Sequence, residues 1–124
     1  MIKNILILFL MSTISVLPQM LGPKVAVQQL DHDFGNINEG DIVKHTYVIS
    51  NNGGDVLKIL DVRASCGCTA ANPDKKELKP GESTDIMVTF NSKGRKGPQN
   101  KTVTVTTNDI EKPSISLTFK CNIV

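Results

Sequence analysis

From Ile115 to Ile123 the chain alternates without a break. Ile115, Leu117, Phe119, Cys121 and Ile123 take one set of positions, and Ser116, Thr118, Lys120 and Asn122 take the other. In a β-strand successive side chains point to opposite faces, so this pattern describes a strand with one wet and one buried side. A strand with one apolar face is not stable by itself. It needs a hydrogen-bonded sheet around it and a second layer against that face. This single run therefore commits the chain to a layered sheet fold.

The rest of the sequence keeps the same grammar. Short runs at Val25–Leu30, His32–Gly35, Val43–Ser50, Val56–Ala64, Ser83–Phe90 and Lys101–Thr107 precede it. They are separated by NEGD, NNGGD, NPDKKELKPGE, NSKGRKGPQ and NDIEKP, built from residues that turn a chain. About seven short strands without helical periodicity predict an all-β, Ig-like antiparallel β-sandwich. The expected core unites the closing strand with Ile86, Val88 and Phe90, with Val43, Tyr47 and Ile49, and with Val103 and Val105. Trp is absent, so Val, Ile and Leu must fill the interior. Cys121 lies on the apolar face of its strand and reads as a buried free thiol acting as a small hydrophobe.

Before the first strand the composition is different. Lys3 precedes an apolar stretch from Ile5 to Leu17, interrupted only by Ser12, Thr13 and Ser15. That length suits the hydrophobic segment of an export signal and falls short of the ~20 residues a spanning helix needs. Residues 1–23 are therefore expected to be an N-terminal signal helix with an unassigned cleavage site, and residues 24–124 the sandwich domain. Export to the periplasm, the envelope or the medium follows, with membrane attachment only if the segment stays uncut. Lys3 is the sole charged residue before Lys24, so its removal leaves basic residues one ahead of the 12 acidic ones. Apart from Lys93, Arg95 and Lys96, the positive charge is scattered, which argues against a nucleic-acid partner.

The chemistry concentrates in Ser65-Cys66-Gly67-Cys68-Thr69. Three readings stand. If the chain bends at Gly67, Cys66 and Cys68 could close a disulfide; if it stays extended, their Cα atoms lie near the ~6.8 Å ceiling. Two thiolates could also hold a soft metal, although His32 and His45 fall by parity on core-facing positions and Met87 is the only methionine beyond Met20. The third reading is structural, with small side chains letting a strand turn the corner between two sheets. Catalytic constellations are weaker. In Asp31-His32-Asp33 the imidazole and the carboxylates face opposite ways, and no nucleophile elbow, phosphate loop or metalloprotease helix motif is present in the sequence.

"HDFGNINEGD", "YVISNNGGDVLKILDVRASCGCT", "LKPGESTDIMVTFNSKGRKGPQNKTVTVTTND" and the closing strand occur in an order that resembles one bacterial domain-of-unknown-function family. That family carries an SCGCT…PGES signature and is similar to Ig-like ASH (ASPM–SPD-2–Hydin), major sperm protein and PapD-like domains. The resemblance falls on Phe34, Gly35, Gly40, Asn51, Ser65, Cys66, Gly67, Cys68, Thr69, Pro80, Gly81, Gly97, Asn108 and Asp109. It implies a seven-stranded sandwich and an exported address, with no catalytic residue and no cofactor to carry over. By turn chemistry, Asn51-Asn52-Gly53-Gly54 is expected to supply left-handed backbone, and Pro80-Gly81 a tight turn. The expected function is a non-enzymatic binding or envelope-associated module whose partner is a protein or an envelope component. The alternative is a thiol–disulfide or copper-handling factor acting through Cys66 and Cys68.

Overall fold

The computed structural model describes residues 22–124, so the expected signal segment lies outside the described residues except for Gly22 and Pro23. Nine strands follow one another: β1 (Val25–Val27), β2 (Asp31–Ile37), β3 (Ile42–Asn51), β4 (Leu57–Ala64), β5 (Thr69–Pro73), β6 (Glu77–Leu78), β7 (Ser83–Asn91), β8 (Gly97–Thr107) and β9 (Ser114–Ile123). They form a four-stranded sheet in the order β1-β3-β7-β5 and a five-stranded sheet in the order β2-β9-β8-β4-β6. The molecule is an all-β, Ig-like sandwich.

Period-two patterning explains what lies between the sheets. Leu117, Phe119, Cys121 and Ile123 from β9 meet Val103 and Val105 from β8, all buried. Tyr47 and Ile49 from β3 and Ile86, Val88 and Phe90 from β7 close against them. Each such side chain taken from water contributes about 1.5–3 kcal/mol. Ile115 and Val43, expected in this core, are only partly buried and pack on its margin. Both lie toward strand ends, where the opposite layer no longer covers them. Tyr47 also staples the layers, since its hydroxyl donates to the Thr118 carbonyl at 2.6 Å. Burial, with the Asp31 charge second, pushes that phenol up to about 12.

The fold departs from the expected one in four places. β2 pairs with β9 in parallel, whereas the other ladders are antiparallel. An edge strand reaching its partner through a long connection is not constrained to hairpin direction. Its ladder shifts between Asp33 and Asn36, where Gly35 takes a left-handed φ of 71° and forms the irregularity. β8 begins at Gly97 and not at Lys101. The segment read as one long turn, Asn72 to Glu82, contains the end of β5 and all of β6, with Leu78 fully buried. Finally, Gly53 has no left-handed φ, so Asn51–Gly54 turns without the backbone expected there. By contrast Lys79–Glu82 is a tight turn with Pro80 and Gly81 at its centre. Gly81 has φ 84°, and the Glu82 N–H donates to the Lys79 carbonyl at 2.9 Å.

Candidate functional site

β4 belongs to one sheet and β5 to the other, and the four residues between them are Ser65, Cys66, Gly67 and Cys68. The crossing is anchored at both sides. The Ser65 N–H donates to the Thr102 carbonyl on β8, and the Ser65 hydroxyl accepts from the Thr102 N–H. The Cys68 carbonyl accepts from the Asn91 N–H on β7 at 2.9 Å. In between, the Thr69 N–H reaches the Cys66 carbonyl at 3.3 Å and closes a turn. The bend brings the two cysteine Cα atoms to 5.2 Å, and a disulfide joins them. Gly67 is exposed, has no left-handed φ, and would carry a Cβ in open space.

The two sulfurs sit in unequal surroundings. Both cysteines are part-buried, and Cys68 is the one that packs against the hydrophobic core. Buried Thr69 places its hydroxyl oxygen 3.5 Å from Cys66 Sγ and 3.6 Å from Cys68 Sγ. Disulfide sulfurs carry no proton, so the hydroxyl is the donor. The third cysteine stays apart: Cys121 is a free, buried thiol, and burial, with the charge of Asp33 second, pushes its pKa up.

Three loops share the same end of the sandwich. Asn91, whose N–H holds Cys68, is followed by the basic turn Lys93–Lys96. In that turn the Arg95 N–H donates to the Ser92 carbonyl, and the Gly94 N–H donates to a Glu39 carboxylate oxygen at 2.7 Å. Buried Ser92 ties it further to the Asn38–Asp41 turn, donating to both the Asn38 and Asp41 carbonyls. The corner and the basic loop, far apart in sequence, thus form one surface with exposed Ile42 beside it.

The remaining candidate residues lie elsewhere. His32 and His45 stack with ring centroids 3.6 Å apart, bridging the two sheets, with Phe34 edge-on to one and Tyr47 edge-on to the other. Sequence parity puts both on core-facing positions but gives no sign that they meet. Burial, then the neighbouring His32, holds the His45 imidazole below its ordinary pKa. Asp31 and Asp33 face outward, Asp31 toward the Thr118 hydroxyl and Asp33 3.9 Å from the Lys120 ammonium. They border a cavity of about 550 Å³ along β2, β9 and β8. Among the described residues no group of three or more His, Cys, Asp or Glu side chains is placed to hold a metal ion. Sequence reasoning also missed Asn51, which is fully buried although it reads as a turn residue.

Several solved structures share this architecture. A protein of unknown function from Porphyromonas gingivalis superposes with a TM-score of 0.74 at 21% identity, over 86% of this chain and 50% of that one. The ASH/PapD-like domain 7 of human CEP192 gives 0.67 at 11% identity, over 98% of both chains. The secreted serine protease VesC of Vibrio cholerae gives 0.58 at 16% identity, with this chain spanning 24% of it. At such identities the likeness is one of fold alone. No curated protein matches the chain. Residues 25–123 match the model of a family described as "Protein of unknown function (DUF1573)", and the chain belongs to that family.

Proposed function

We propose that the chain is an exported, non-enzymatic module that binds a protein or an envelope component through the end of the sandwich carrying Cys66–Cys68 and Lys93–Lys96. The observation that carries this reading is the joining of corner and basic turn through the Asn91–Cys68 backbone bond. A rigid two-sheet scaffold presenting loops from one end is a common way for sandwiches to make contacts. The kinship with an ASH/PapD-like domain supports a scaffold of this class. The test has two parts. Fractionation and intact mass should find the chain outside the cytosol with the residues before about Pro23 removed. Replacing Lys93, Arg95 and Lys96 together with Ala should abolish crosslinking to envelope material while leaving the fold intact. A full-length cytosolic chain, or unchanged crosslinking, overturns the reading.

A second reading, a thiol–disulfide factor, is favoured by the disulfide at an exposed bend with a hydroxyl donor directed at both sulfurs. Counting free thiols with and without reductant tests it. One free thiol rising to three supports it, and three from the outset removes it.

A further inference from the structure

The surroundings of the disulfide give it a direction. We propose that Cys66 is the sulfur attacked by an incoming thiolate, from a cysteine-containing peptide or a small thiol, and that Cys68 is the leaving sulfur. This rests on the thiol–disulfide reading above and specifies it. Thiol–disulfide exchange proceeds with the nucleophile, the attacked sulfur and the leaving sulfur in line, so the attacked sulfur must be open on the side away from its partner. Cys66 sits in the turn, on the exposed Gly67 bend, outside the set of residues packed on the core. Both cysteines are part-buried, but Cys68 packs against the core, so its core side is covered, and its backbone is held to β7 through Asn91.

The incoming thiolate forms an S–S bond to Cys66 Sγ, the Cys66–Cys68 bond breaks, and its electron pair leaves on Cys68 Sγ as a thiolate. No net oxidation occurs in that step, and a second thiolate attacking the mixed disulfide completes reduction of Cys66. Thr69 acts as a positioning residue. Its hydroxyl, 3.6 Å from Cys68 Sγ, donates to the developing thiolate and favours the charged form. The retained thiol stays anchored beside β7 through the Asn91–Cys68 bond, and Cys66, in the turn between Ser65 and Thr69, carries the mixed disulfide. Because the bond spans a sequence separation of only 2, opening it releases little chain.

The experiment treats the full chain with reduced glutathione, quenches with acid at short times, and maps the adduct by peptide mass. The expected product carries glutathione on Cys66 and a free thiol on Cys68. In parallel, Cys68→Ala and Cys66→Ala are each reacted with oxidised glutathione. Cys66 in the first variant should be modified at least ten times faster than Cys68 in the second. Thr69→Val should move the pH profile of Cys68 ionisation upward and slow exchange several-fold without altering which sulfur is labelled. Adducts on Cys68, or equal rates in the two variants, overturn the assignment while leaving exchange itself standing. Three free thiols in the untreated protein overturn the exchange reading and the assignment with it.

Discussion

The two ends of this sandwich are built on opposite principles. At one end, backbone and polar side chains are turned inward on each other. Asn51, fully buried, accepts from the Lys24 and Gly53 N–H groups and donates to the Asp55 and Leu78 carbonyls. Asp109, also buried, accepts from the Val25 and Glu111 N–H groups, and Asn108 accepts from Lys58 and donates to Val56. A Cβ on Gly53 would press into the Gly22 carbonyl and lie 2.5 Å from Lys24 N. At the other end a Cβ on Gly67 would meet open space, Cys66 is only part-buried, and the basic turn is presented outward. The closed end fixes the strands, and the open end is left with surface and sulfur chemistry. Among the described residues no buried side-chain N or O atom lacks a partner, so the closed network is complete.

The same substitution at each end should break the symmetry most sharply. Gly53→Ala forces the Gly22–Lys24 backbone to move and should lower stability by roughly 4 kcal/mol, whereas Gly67→Ala should stay within about 0.5 kcal/mol. Urea unfolding of the two variants measures both, and similar losses would erase the distinction. Asn51→Ala strips two carbonyls and two N–H groups of their shared partner and should cost about 3 kcal/mol, since each buried orphan costs about 1–3 kcal/mol. Full retention of the unfolding midpoint would mean that water satisfies those groups as well.

Asp109 gives the closed end a pH signature. Burial raises its carboxyl, but the N–H bonds from Val25, Glu111 and Lys112 and the Lys24 charge outweigh burial and hold it below the usual aspartate range. With the folded pKa depressed, the stabilisation is present above the unfolded aspartate value and is lost as pH falls through the folded one. Stability should therefore decline below about pH 4, where free aspartate is about half protonated. Asp109→Asn should flatten that part of the profile, which thermal unfolding between pH 6 and 2.5 would record.

The open end was the more legible of the two in the sequence. Behind the Val56–Ala64 run, Cys66-Gly67-Cys68 admits a corner between sheets as one of three readings, and the crossing from β4 to β5 falls there. The alternation of β9 and β7 located most of the core because it is a local property of the chain. The closed end was hidden for the opposite reason. Asn51 and Gly53 have the composition of any surface turn, and what distinguishes them is the approach of Gly22–Lys24 and Leu78, remote in sequence. β6 escaped notice because two residues are too few to show a period. The His32–His45 stack and the parallel β2–β9 ladder depend on which strands become neighbours, which no single strand encodes.

The covalent link at the open end should contribute little to the fold, because it closes almost no chain. The most direct test is urea unfolding of the oxidised native chain beside the Cys66→Ala/Cys68→Ala double variant. Loop closure over so short a span predicts a difference of about 1 kcal/mol. A loss of roughly 2–5 kcal/mol, the usual effect of removing a structural disulfide from a small domain, would contradict the account.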